Sequence, residues 1–267
     1  MKGRALMIPD IHFGFRRVNE EWVPLHDVKA VQAALEMAAD IKCTEVVILG
    51  DICDFAELGK FVCENDLLQT TQRSLDEAHL FLQRLRDIVG PKCKITLIEG
   101  NHEARAEKKL LECAPQFSQL KAAGSDIPAI SIQNLLGLDA LNINYVGPYK
   151  AVYWLFGCVR VTHGQICKKR GGQAEGASLV EYAVHQVAGH THKMALACRT
   201  VHGPKGPEVL FAMNPGTLAR IDGIVPSGGT DHDWQQSCGI VFQDTDGQIF
   251  MSLVPIINGR YKLRNSY

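Results

Sequence analysis

The N-terminal part of the chain alternates between short apolar runs and helical patterns, and this alternation constrains the fold more than any other feature. Apolar runs at 4–10, 44–51 and 94–101 are typical of buried strands, and each ends in polar residues. Between them, residues 25–40 and 75–89 repeat apolar side chains at three or four positions, which predicts two amphipathic helices. The order strand, helix, strand, helix, strand predicts a right-handed parallel α/β core.

The second half of the chain consists mostly of short β-like runs separated by glycine, proline or aspartate. Seven such runs lie within 142–256, and a helix near 176–184 interrupts them. We expect these runs to form a second sheet, with a flexible loop at 227–234. Because no linker divides the chain, we expect residues 1–267 to form one domain.

Composition narrows the class of protein. A chain of 267 residues with 46% hydrophobic residues can bury a sizeable core. The net charge of −1 indicates neither a polyanion nor a membrane surface as a general partner, although an enzyme can still contact phosphates locally. No run is long enough for a secretory segment or a membrane span. Nine cysteines without a C-x-x-C pair indicate reduced thiols in a cytoplasmic protein.

Aspartate, histidine and asparagine residues directly follow the predicted strands. In open α/β sheets, ligands bind beyond the carboxyl ends of the strands. Aspartate or asparagine after a single strand is often only a turn residue or a helix cap. Five such motifs in order indicate one shared site instead. Its candidate residues are Asp10, His12, Asp51, Asp54, Asn101, His102, His163, His190 and His192.

These residue types favour a site for two metal ions. Imidazole, carboxylate and amide ligands suit Mn²⁺, Fe or Zn²⁺ better than a metal that prefers thiolates. Two ions about 3.5–4 Å apart need a carboxylate that bridges them, and such a pair lowers the pKa of a bridging water and binds phosphoryl oxygens. A leaving alkoxide then needs a proton, which a nearby histidine can supply.

The motif series resembles that of the calcineurin-like metallophosphoesterases. The resemblance rests on D-x-H at 10–12, G-D-x-x-D at 50–54, G-N-H-E at 100–103, H-G at 163–164 and G-H-T-H at 189–192. In addition, the M-N-P-G-T segment at 213–217 resembles a strand and loop of the bacterial phosphodiesterase branch. The resemblance implies a four-layer α/β/β/α sandwich with two mixed sheets.

The resemblance also implies a role for each motif residue. One divalent metal ion would be held by Asp10, His12 and His192, and a second by Asn101, His163 and His190. Asp51 would bridge the two ions. His102 would be the general acid, oriented by Asp54. We expect manganese first, with iron, zinc, nickel and cobalt as alternatives.

The activity implied is hydrolysis of a small phosphoester such as a nucleotide, most directly by a phosphodiesterase that uses a metal-bridging hydroxide as nucleophile. A DNA exonuclease or endonuclease of the repair type is one alternative, and a non-catalytic scaffold that retained the fold is another. Phe55 stands where the protein phosphatases of the superfamily carry arginine, which argues against that branch. Arg105 is a candidate substrate contact or simply part of a solvated helix face. Trp234 could stack on a base, whereas Trp154 is expected in the core.

Overall fold

The computed structural model describes residues 2–59, 63–204, 206–226 and 232–263. The helices are α1 (Val28–Ile41), α2 (Thr71–Val89), α3 (Asn101–Cys113), α4 (Ile132–Leu135) and α5 (Gln173–Tyr182). The strands are β1 (Gly3–Ile8), β2 (Phe15–Val18), β3 (Glu21–Pro24), β4 (Glu45–Ile48), β5 (Lys94–Ile98), β6 (Ile143–Val146), β7 (Tyr153–Leu155), β8 (Val159–Thr162), β9 (His185–Ala188), β10 (Met194–Gly203), β11 (Gly206–Pro215), β12 (Ser237–Gln243) and β13 (Ile249–Pro255). None of the helices in these ranges combines the length and hydrophobicity needed to cross a membrane.

The first sheet contains the predicted parallel core. Its strand order is β13-β12-β1-β4-β5-β6, and β1, β4, β5 and β6 run parallel to one another. Strand β12 pairs antiparallel with β1, and β13 pairs antiparallel with β12. The helix α1 begins after Asp27, whose carboxylate accepts hydrogen bonds from the amides of Lys29 and Ala30. This cap explains why the helix starts later than its apolar pattern.

The second sheet has the strand order β10-β11-β9-β8-β7. Strands β8, β9 and β11 run parallel, and the outer pairs are antiparallel. The prediction that all later strands belong to this sheet is wrong for β6, β12 and β13, which extend the first sheet on both sides. A local apolar pattern marks a strand but does not encode its partner, and Gly3 pairs with Gln243 near the opposite end of the sequence.

Side-chain alternation on β1 shows how the sheets pack. Leu6 and Ile8 join the core formed with α1 and α2, whereas Ala5 and Met7 point to the other face. On that face they pack with residues of β8, β9 and β11 from the second sheet. On the far side of the second sheet, Leu179 of α5 packs against β11. The chain is therefore a mixed α/β protein in which two mixed sheets pack against each other.

The buried His26 makes part of the stability of the protein depend on pH. Its ring packs against Phe13 and Phe15, with ring centres 4.7 and 5.6 Å away, and only 3% of the residue is exposed. Burial lowers the pKa of His26 from 6.5 to about 4. As the pH falls, the unfolded chain takes up this proton before the folded chain does. The stability present above pH 6.5 is therefore lost as the pH falls toward 4.

We expect the free energy of unfolding to fall by as much as about 3 kcal/mol through this group alone between those pH values. Urea titrations at a series of pH values would measure it. In His26→Leu this component of the pH dependence should disappear, and the same change at the exposed His202 serves as the control variant. Parallel pH profiles for the wild type and His26→Leu would contradict the prediction.

Candidate metal centre

The predicted residues meet where the parallel strands of both sheets end. Asp10 follows β1, Asp51 follows β4, and Asn101 opens α3 directly after β5. His163 follows β8, and His190 follows β9 in the second sheet. The two sheets face each other, so these loops converge on one buried point, where Asp10 and His163 have no exposed surface and Asp51 has 2%.

Two groups of potential ligand atoms share Asp51. The first group consists of Asp10, His12, Asp51 and His192, and the second of Asp51, His163 and His190. Within each group, the ligand atoms lie within 4.8 Å of one another. In the first, His192 Nε2 lies 3.3 Å from Asp10 Oδ1 and 3.1 Å from His12 Nε2. In the second, His163 Nε2 lies 3.3 Å from Asp51 Oδ2.

Asn101 joins the second group through its amide oxygen. Asn101 Oδ1 lies 2.9 Å from His163 Nε2, and the other ring nitrogen of His163, Nδ1, lies 2.7 Å from the carbonyl oxygen of Leu49. Because a carbonyl can only accept, Nδ1 carries the proton and donates it. In the neutral ring Nε2 then has a free lone pair, as metal binding requires.

His102 lies beside both groups. It contacts the main chain of Asp54 rather than the carboxylate. His102 Nδ1 donates to the main-chain carbonyl of Asp54. The carboxylate of Asp54 instead bonds His12, with 2.9 Å between Oδ2 and Nδ1, and lies 3.9 Å from His102 Nδ1. Asp54 thus contacts both histidines, one through its backbone and one through its side chain. His102 Nε2 is directed toward the cluster and lies 3.8 Å from Asp51 Oδ2.

Imidazole and carboxylate groups balance charge inside the cluster. Burial opposes charge on His12, but its hydrogen bond to Asp54 and the nearby carboxylates raise its pKa to about 9. Burial likewise opposes charge on His163, and Asp51 raises its pKa to about 10. Burial would raise the pKa values of the carboxyl groups, yet the histidines hold the pKa of Asp51 well below its usual range.

The donor set fits divalent metal ions of the type expected. The groups offer imidazole nitrogens and carboxylate oxygens, with an amide oxygen beside them. The nearby thiol of Cys53 takes no part, since its Sγ is directed to the carbonyl of Ser74 at 3.8 Å. Buried carboxylates need positive charge nearby, and protonated His12 and His163 supply it here. Bound cations would take over this role and release those protons.

Glu103 is a site residue for which the sequence patterns predict no role. It has no exposed surface, and its carboxylate accepts hydrogen bonds from the amides of Gly100 and Asp51 at 2.9 Å and of Cys53 at 3.2 Å. Burial and the charge of Asp51 raise its pKa to about 7. Its place in the first turn of α3 is the local signal that could have found it, because an acid at this position can accept a hydrogen bond from the amide of the residue that precedes the helix.

Close backbone approach explains the glycine before Asn101. A Cβ atom at Gly100 would lie 2.2 Å from both the amide nitrogen and the Oδ1 of Asp51. Asp51 itself has φ 47°, in the left-handed region that side chains rarely adopt. Strain of this kind, of order 1–3 kcal/mol per residue, is stored where surrounding contacts hold a functional site in place.

The remaining candidates lie around the cluster. Arg105 is half-buried on α3, and its charge adds a smaller effect to the burial that lowers the pKa of His102. Trp234 is half-buried, with its ring centre 4.4 Å from that of His192. The expectation of a core position is wrong for Trp154, which is 49% exposed on β7. Of the loop expected at 227–234, positions 227–231 lie outside the described residues.

The motifs that are far apart in the sequence are therefore brought together by the fold. Residues from all five motifs contribute to the groups that share Asp51 or to the contacts immediately around them. The chain resembles the calcineurin-like metallophosphoesterases.

Comparison with known proteins finds similarity in solved structures only. No family model matches the sequence, and no curated protein matches it. The chain is similar to YfcE, a phosphoesterase from E. coli, with 18% identity and a TM-score of 0.41 over 95% of this chain and 100% of that chain. It is also similar to the protein TT1561 of Thermus thermophilus, with 10% identity and a TM-score of 0.37 over 94% of this chain and 98% of that chain.

Proposed function

We propose that the protein hydrolyses phosphodiesters with the help of two divalent metal ions, Mn²⁺ in the first place. The observation that carries this proposal is the pair of ligand groups that share Asp51, in which every residue except the half-buried His190 is buried. A single structural metal would need only one such group. We further propose that residues 1–267 form one domain with the layer order α/β/β/α, since helices pack outside both sheets.

The two ligand groups support the following division of the ligands between the two ions. Asp10, His12 and His192 would hold one ion, Asn101, His163 and His190 would hold the other, and Asp51 would bridge them. When bound, the two ions supply positive charge that stabilises the phosphoryl oxygens and lowers the pKa of water. His163 is oriented for its part by the hydrogen bond from its Nδ1 to the carbonyl of Leu49.

His102 is suited to act on the leaving group. Its Nδ1 proton is committed to the carbonyl of Asp54, so Nε2 is the atom that faces the cluster. A proton held at Nε2 can pass to the oxygen that leaves phosphorus, and the hydrogen bond at Nδ1 keeps the ring in place. Arg105, near His102 on the same helix, would contact a phosphate oxygen of the substrate.

The first test compares bis-p-nitrophenyl phosphate with p-nitrophenyl phosphate in Mn²⁺, using metal-free protein as the control. We expect the diester to be hydrolysed with the higher kcat/KM, and both activities to disappear when the metal is removed by a chelator. Preference for the monoester would indicate a phosphatase instead. Binding of Mn²⁺ without turnover of either ester would support a non-catalytic scaffold.

A further inference from the structure

The loop that carries His190 and His192 is held in an unfavourable backbone conformation. Both histidines have positive φ angles, 71° for His190 and 58° for His192. Residues other than glycine adopt this left-handed region only at a cost of order 1 kcal/mol or more. Such a loop keeps its conformation only when contacts with the surrounding structure hold its backbone in place.

Asn214, at the end of β11, supplies such a support. It is 1% exposed, and its amide group donates to the carbonyl of Gly189 at 2.8 Å and to the hydroxyl oxygen of Thr191 at 2.9 Å. Its own amide oxygen accepts from the amide of Gly216 at 2.9 Å. One buried side chain therefore binds the loop both before and between the two histidines. Asn214 lies more than 20 positions after the histidines in the sequence, and these hydrogen bonds involve neither imidazole ring.

The loop sends its two histidines to different ligand groups. His192 belongs to the group with Asp10 and His12, whereas His190 belongs to the group with His163. Side chains two residues apart on an extended strand would leave on the same face. The left-handed turn at both histidines removes that regularity, and Thr191 between them is anchored to Asn214.

We propose that Asn214, acting through Gly189 and Thr191, is a positioning residue that directs His190 and His192 to two separate metal ions. The inference rests on the proposed function, since it presumes that both groups bind metal. Outer partners that orient metal ligands typically contribute 10- to 100-fold to metal affinity. Asn214 orients two ligands at once through the backbone, so its loss should weaken both sites rather than one.

The sharpest test uses Thr191, because a pair of matched variants is available there. Thr191→Val removes the hydroxyl that Asn214 binds, and Thr191→Ser keeps it. The titrant is Mn²⁺ alone, in competition with a fluorescent chelator, so the readout does not depend on turnover. We expect Thr191→Val to bind Mn²⁺ about tenfold more weakly and Thr191→Ser to match the wild type. The melting temperature of metal-free Thr191→Val should stay within about 2–4 °C of the wild type, as for the loss of one hydrogen bond.

Asn214→Asp gives a second arm, because a carboxylate can accept from the amide of Gly216 and from the hydroxyl of Thr191 but cannot donate to the carbonyl of Gly189. In the metal-free protein, amide hydrogen exchange at 189–193 should be faster in this variant and in Thr191→Val than in the wild type. Wild-type Mn²⁺ affinity in both variants, or equal weakening in Thr191→Val and Thr191→Ser, would overturn the positioning role. Failure of the wild type itself to bind Mn²⁺ would overturn the proposed function and this inference with it.

Discussion

Replacement of His102 by alanine is expected to reduce turnover by roughly 10²- to 10⁴-fold while the metal content stays that of the wild type. The ring of His102 lies beside the ligand groups, and its Nδ1 is already committed to the carbonyl of Asp54. Its loss would therefore remove a proton donor without removing a ligand. Steady-state kinetics in Mn²⁺ and metal analysis of the same samples would check both halves of the prediction.

The leaving group separates proton donation from other roles of His102. A p-nitrophenolate is stable without a proton, whereas an alkoxide is not, so the loss in His102→Ala should be greater for an alkyl leaving group. An equal loss for both would assign His102 to binding instead. His79→Ala is a matched control, because His79 Nδ1 also contacts a main-chain carbonyl, that of Leu136 at 2.9 Å, and the residue is half-buried. We expect this control to keep wild-type turnover.

Replacement of Asp51 by asparagine is expected to lower metal content at both sites together. Asp51 is the residue that belongs to both ligand groups, and it lies 3.3 Å from His163 and 3.8 Å from His12. Asparagine has nearly the same size, and its amide oxygen can still accept the hydrogen bond from the amide of His102. The variant therefore removes a bridging charge with little change to the local backbone.

Equilibrium dialysis against Mn²⁺, followed by metal analysis, would measure the Asp51→Asn effect. Asp54→Asn is the informative comparison, because Asp54 contacts His12 and belongs to neither of the two groups that share Asp51. We expect it to weaken binding by roughly 10- to 100-fold, as an outer partner does, and so by less than Asp51→Asn. Two metal ions retained in Asp51→Asn at wild-type affinity would remove Asp51 from the bridging role.

Much of the site follows from local sequence alone. A strand that ends in polar residues places them at its carboxyl end, and parallel neighbours bring those ends to one edge. For this reason, the pattern before Asp10, Asp51 and Asn101 was sufficient to predict that these side chains lie near one another. The parallel core, β1, β4 and β5 with their intervening helices, was predictable on the same ground, because the apolar periods that define it are local.

Only the tertiary structure decided the contacts between segments that lie far apart in the chain. Strands β6, β12 and β13 joined the first sheet because pairing partners are chosen by long-range packing, which no local period records. The same reason applies to side chains. The sequence predicted that Asp54 belongs to the site, but only the fold showed that its carboxylate contacts His12 and its main-chain carbonyl contacts His102. Glu103 accepts hydrogen bonds from backbone amides and Asn214 donates to a backbone carbonyl, and such bonds have no residue pattern of their own.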